Sequence, residues 1–167
     1  IRPAVRLELG ARSDSWPANK RRITPYSAQL FPQMFTAASC EVNTLEAVRT
    51  FWEKATILHA EAHRAGPTAR NERMSRHYYD LYRLCQTVIG EHALKRIDLL
   101  ERVVAHKTVF FRSAWAHYET AAPGTFRLLP PGHRMPLLQK DYNEMRAMIF
   151  GEFPQWDEIV RGLQVLE

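Results

Sequence analysis

The spacing of hydrophobic positions changes once along the 167 residues. Near the start it alternates. Val5-Arg6-Leu7-Glu8-Leu9-Gly10 puts its apolar side chains on one face and ends in glycine, the pattern of a half-buried strand. Ala28–Phe31 and Ser39–Val42 predict two more short strands, and Pro25 confines the first of them to a sheet edge. Between these lie a Ser/Asp/Pro/Asn-containing loop, residues 11–19, and the cationic run Lys20-Arg21-Arg22. From residue 43 onward the period lengthens. Leu45, Val48, Phe51, Trp52, Ala55 and Leu58 form one apolar stripe at helical spacing. This predicts a helix from Asn43 or Thr44 to about Arg64, with Asn43 and Glu46 as a capping pair and Gly66-Pro67 as the stop.

A second helix is predicted from Asn71 or Glu72 to Gly90, with His77, Tyr78, Leu81, Leu84, Cys85, Val88 and Ile89 inward and Arg76, Asp80, Arg83 and Thr87 outward. A third covers residues 93–111. Residues 113–133 carry Trp115, Tyr118 and Phe126 among Pro-Gly and Pro-Pro-Gly breaks, which predicts a long loop packed by its own aromatics. Two more helices are predicted near 137–150 and 156–166. Strands first and helices afterwards make an α+β chain: a strand-rich segment over 1–43, then a helical bundle over 44–167.

Composition narrows the class. A hydrophobic fraction of 46% suits a packed core and excludes a disordered chain. No run reaches the roughly 20 apolar residues of a membrane span. Two cysteines, Cys40 and Cys85, are too few for a disulfide scaffold and favour a reducing, cytoplasmic setting; Cys85 reads as a small buried hydrophobe. A start at Ile1 without methionine reads as part of a longer product. The net charge is +5 and uneven: residues 1–40 hold six Lys/Arg against Glu8 and Asp14, whereas residues 131–167 hold four against six acids. A basic front suits contact with a polyanion, and equally suits a mildly basic soluble protein.

Each candidate chemistry has a plainer reading beside it. Lys54, at the edge of the first apolar stripe, is either a surface lysine resting its stem on the core or a point charge for a triphosphate. Asp80 lies four residues after Arg76 and three before Arg83. It is either a rung of an intrahelical ion-pair ladder or a general base or orienter of a lysine. Arg64, Arg70, Arg73 and Arg76 make either a solvated basic loop or a set of phosphate contacts. His59 and His63 have the i, i+4 spacing of a metal clamp, but the intervening acid does not match the H-E-x-x-H pattern. Glu8 on the first strand is a candidate metal carboxylate.

The tandem of Arg49-Thr50-Phe51-Trp52-Glu53-Lys54-Ala55-Thr56-Ile57-Leu58-His59 and Ser75-Arg76-His77-Tyr78-Tyr79-Asp80-Leu81-Tyr82-Arg83-Leu84 resembles the C-terminal half of AbiEii-type nucleotidyltransferases, the toxins of bacterial type IV toxin–antitoxin systems. Val5–Gly10 is similar to the last sheet strands of that family, and the resemblance extends over most of the chain. It implies a fold like the DNA-polymerase-β nucleotidyltransferases, an NTP substrate, Mg²⁺, an RNA acceptor of tRNA type and an antitoxin partner. It gives Lys54 and Asp80 the catalytic roles, Arg70, Arg73 and Arg76 the phosphate, and Glu8 a place among the metal carboxylates. The family's Gly-Ser turn and D-x-D strand occur nowhere in these 167 residues. The expectation is therefore a partial site, inactive alone, with its Mg²⁺-binding half upstream. The competing reading is a non-catalytic basic helical module that binds RNA or a partner protein.

Overall fold

The computed structural model describes residues 9–66 and 73–167. It is α+β, and the chain separates into two compact units, Ile1–Glu46 and Ala47–Glu167. Glu8 and Arg70, with most of the predicted strand Val5–Gly10, lie outside the described residues.

In the first unit, β1 (Ala18–Ile23) and β2 (Cys40–Leu45) form an antiparallel ribbon, with Ala18 opposite Leu45 and Ile23 opposite Cys40. β1 contains the Lys20-Arg21-Arg22 run and is exposed at every position. It has no apolar face, so alternation could not reveal it. The ladder supplies the strand instead, with Arg22 directly across from Glu41. The predicted strand Ala28–Phe31 is a helix, α1 (Tyr26–Leu30). Pro25 has a φ of −59° just ahead of the first turn, and its carbonyl accepts from Ala28 and Gln29, so the proline starts a helix rather than edging a sheet. The predicted strand at Ser39–Val42 exists but runs on to Leu45, which moves the following helix start to Ala47. Asn43 sits in the ladder opposite Lys20, so it caps nothing. The Glu46 carboxylate accepts from the Asn19 side chain at 2.6 Å, and its amide donates to the Pro17 carbonyl at 2.9 Å.

The second unit is built on α2 (Ala47–His63). Phe51, Trp52, Ala55 and Leu58 are buried from it, against Tyr78 and Leu81 of α3 (Ser75–Cys85), Ala93 of α4 (Val88–Leu94), and Leu99, Leu100 and Val103 of α5 (Ile97–Phe110). α6 (Met135–Glu144) and α7 (Trp156–Gln164) close the core with Leu138, Tyr142, Trp156, Ile159 and Leu163.

The predicted single helix to Gly90 is broken at Gln86-Thr87. Thr87 adopts an extended conformation and its hydroxyl accepts from the Ile89 amide, which caps a new helix. Gly90 is not a stop. It lies inside α4 where a Cβ would come within 2.9 Å of the Cys85 Cα, so glycine there permits close packing of α3 on α4.

The N-terminus of α3 is capped from another helix. Asp141 of α6 accepts from the Arg73 amide at 2.6 Å, the Ser75 amide at 2.8 Å and the Ser75 hydroxyl at 2.5 Å. These are amides that an isolated helix would leave unbonded, and a carboxylate there also answers the helix dipole. Arg73, just before the helix, has a φ of 64°.

The loop over residues 111–134 is tied to α2. Buried Glu61 pairs with Arg134 at 3.0 Å and with Arg64 at 2.7 Å, and the Arg64 guanidinium lies 3.6 Å from the Trp115 ring centre. Phe126 packs on Trp52 and His59, so the loop is held by its aromatics as the sequence indicates.

A candidate anion site on helices α2, α3 and α5

α2 and α3 bring Lys54 and Asp80 together. The Lys54 ammonium lies 2.7 Å from Asp80 Oδ2 and 3.1 Å from His77 Nδ1. Lys54 is at the margin of the buried stripe of α2, where its stem lies against the core and its head emerges. Asp80 is one turn beyond His77 on α3. The ladder with Arg76 and Arg83 is replaced by this cross-helix pair: among the described residues, the ion pair of Asp80 is to Lys54.

The protonation pattern follows from the bonds. An ammonium only donates, so His77 Nδ1 accepts and the neutral ring carries its proton on Nε2. Burial, with Lys54, Arg76 and Lys107 nearby, lowers the His77 pKa from 6.5 to about 3. Two of the three ammonium protons of Lys54 are thereby directed to Asp80 and His77, and the third is left for a ligand. The Lys54 side chain is 19% exposed, enough to present that proton at the surface while keeping its bonds partly shielded from water.

Three charged residues missed by sequence reasoning flank the pair. Arg49, fully buried, donates to Glu53 Oε1 at 2.9 Å. Lys107 of α5, 7% exposed, donates to the main-chain carbonyl of Glu53 at 2.9 Å. Burial lowers the Lys107 pKa from 10.5 to about 7. Glu53 opposes the shift, and Arg49 and Lys54 reinforce it. The signal for Lys107 was available: it falls on the apolar stripe of α5 after Leu100 and Val103. His77 was likewise placed on an apolar face without being given a partner.

Arg76 is exposed and acts on the cluster through its charge on His77. Arg73 is exposed too, and its described contact is main-chain, to Asp141.

His59 and His63 do not form a metal clamp. His59 Nδ1 accepts from the Arg127 amide at 3.0 Å, and Nε2 faces the His117 carbonyl at 3.0 Å and Thr120 Oγ1 at 3.1 Å. Both ring nitrogens are spent on holding the loop. Burial lowers the His59 pKa and keeps the ring neutral.

A cluster of two lysines, one neutral histidine and carboxylates that orient the cations can hold a polyphosphate and stabilise charge developing on it. No curated protein and no solved structure matches the chain significantly. Over residues 1–162 it matches the family described as nucleotidyl transferase AbiEii toxin of type IV toxin–antitoxin systems. With a match over nearly its whole length, the chain belongs to the AbiEii nucleotidyltransferase toxin family.

Proposed function

We propose that Lys54 binds the polyphosphate of an NTP in a nucleotidyl transfer to an RNA acceptor of tRNA type, and that Asp80 positions Lys54. The observation that carries this reading is the Lys54 ammonium, fixed by Asp80 at 2.7 Å and by His77 at 3.1 Å, with one proton still to give. A lysine held in this way loses little further freedom when it engages a phosphate, and its charge offsets the negative charge that builds on the leaving pyrophosphate. Asp80 spends an oxygen on that ammonium, which favours an orienting role over proton abstraction. Arg76 and Arg73, on the exposed side, add longer-range attraction for the anion.

The family's chemistry usually draws on a divalent cation, Mg²⁺ in this reading. Among the described residues no group of three or more His, Cys, Asp or Glu is placed to hold a metal. The described side chains therefore do not fit the ion. In this reading the ion's carboxylates come from outside the described residues, with Glu8 among the candidates, and the 167 residues alone bind nucleotide without turning it over. The exposed strand with Lys20, Arg21 and Arg22 supplies cations for an RNA backbone, and an antitoxin is the expected protein partner. Among the described residues no helix is long and apolar enough to cross a membrane.

The test is NTP binding by calorimetry, and nucleotide incorporation into tRNA by the whole gene product, with Lys54→Ala and Asp80→Asn. Lys54→Ala should weaken binding at least tenfold and abolish incorporation. Asp80→Asn should lower incorporation more than binding. Transfer by Lys54→Ala at the wild-type rate would sink the assignment.

A further inference from the structure

We propose that Lys107 is a positioning residue of the anion site, a second, buried cation that fixes the helical turn carrying Lys54 and adds its field to the bound polyphosphate. The proposal rests on the nucleotide-binding reading of Lys54.

The geometry has three parts. Lys107 reaches from α5 across to α2 and bonds the carbonyl of Glu53, the residue immediately before Lys54. That carbonyl also accepts from Thr56 Oγ1 at 3.0 Å, so the turn is pinned from two sides. The ammonium is buried, and the Glu53 carboxylate, the acid on α2 that acts on it, is itself bonded to Arg49 at 2.9 Å. Burying an ammonium against one carbonyl and a shared carboxylate is costly, and a lysine serving packing alone is better replaced by methionine or leucine. The charge has a use if an anion arrives.

The groups facing Lys107 are Arg49, Glu53 and Lys54 from α2, and its charge is felt by His77 of α3. The short turn Tyr118–Thr120 also packs on α5, but its Glu119 is bonded to His117 and exposed, and Tyr118 responds to Glu61 and Arg64. With a pKa brought down to about 7, Lys107 is only part-charged in the empty site near neutral pH. A polyphosphate beside Lys54 favours the charged form, so binding takes up a proton at Lys107.

The experiment measures the affinity of inorganic tripolyphosphate between pH 6 and 8.5 for wild type, Lys107→Arg and Lys107→Met. The titration of the ligand itself is common to all three and cancels in ratios. At pH 6, Lys107→Met should bind about tenfold more weakly than wild type. As pH rises through 7, wild type should fall toward the Lys107→Met affinity, while Lys107→Arg keeps its affinity relative to Lys107→Met throughout. Equal affinity and an equal pH profile for wild type and Lys107→Met would overturn the proposal while leaving Lys54 in place. Should Lys107→Met not fold, a constant ratio of wild type to Lys107→Arg across the pH range would overturn it instead. Failure of wild type to bind tripolyphosphate at all would overturn the nucleotide-binding reading, and this one with it.

Discussion

Replacing Asp141 with alanine should destabilise the helical unit through an element it does not belong to. The carboxylate receives two amides and one hydroxyl at the start of α3. Ser75 is fully buried, so alanine at 141 leaves the Ser75 amide without its partner and the Ser75 hydroxyl with only Met145 Sδ, at 3.1 Å. A buried donor left without its acceptor costs about 1–3 kcal/mol, and the lost charge at the helix N-terminus about 0.3–1 kcal/mol. Arg73 is exposed, so water replaces that bond at little cost. These contributions overlap, and the net loss should be about 2–4 kcal/mol, a drop of roughly 10 °C in melting temperature for a unit of this size. Denaturant titration of wild type, Asp141→Ala and Asp141→Asn measures it. Asparagine keeps an accepting oxygen but not the charge, and should lose about half as much as alanine. Because His77 and Asp80 sit in the first two turns of α3, tripolyphosphate affinity should fall as well. If Asp141→Ala unfolds within about 0.5 kcal/mol of wild type, the reasoning about α3 is refuted.

Four further outcomes follow from the same geometry. A double-mutant cycle on Lys54→Met and Asp80→Ala should give a coupling of only about 0.5–1 kcal/mol in stability, since Asp80 is 38% exposed, but a much larger coupling in nucleotide binding. Acid should destabilise the unit. His59 and His77 are held neutral in the fold, so the unfolded chain binds more protons below its ordinary histidine pKa of 6.5; the histidine contribution to stability should be constant above that value, fall from 6.5 toward 3, and fall less in His77→Gln. Lys107 acts in the alkaline range by the same rule: between pH 7 and 10.5 the unfolded chain holds the proton that the fold has lost, so stability should rise with pH there and Lys107→Met should remove the rise. Gly90→Ala should destabilise by about 1–3 kcal/mol in thermal melts, because the new Cβ meets main-chain atoms of Cys85 and of Leu84 at 2.9–3.0 Å and cannot be relieved by turning a side chain.

Helical periodicity identified α2, α5 and α7 to within a few residues because each buries a continuous stripe. β1 was invisible for the opposite reason: Lys20-Arg21-Arg22 buries nothing, and only its pairing with β2 makes it a strand. The break at Gln86-Thr87 was hidden because the apolar spacing of α3 runs on into α4 while the direction changes. At the site, spacing gave Asp80 two arginine neighbours on its own helix, and those are the pairs the fold does not form. A partner across two helices leaves no local trace, so the pairing of Lys54 with Asp80 is suggested only by the family resemblance. Lys107 and Asp141 could not be paired at all from sequence, since Lys107 bonds a main-chain carbonyl and Asp141 bonds two main-chain amides and one hydroxyl on another helix.

That last property has a consequence for how the unit tolerates change. The helices of this core are joined by side chains that grip a neighbour's backbone: Trp52 on the Ala93 carbonyl, Lys107 on that of Glu53, Arg134 on that of Glu61, Tyr142 on that of Pro154, and Asp141 on two amides. A carbonyl is offered by any residue, so the grip itself specifies the gripping side chain and leaves the gripped residue to be decided by its other contacts, as the Glu61 carboxylate is by Arg134 and Arg64. Each joint is therefore lopsided, with one side written in a particular amino acid and the other only in the path of the chain. Substitutions should divide the same way: Ala93→Ser keeps the carbonyl of its joint, whereas Trp52→Phe, which keeps an aromatic ring but loses the indole N–H, unfastens it.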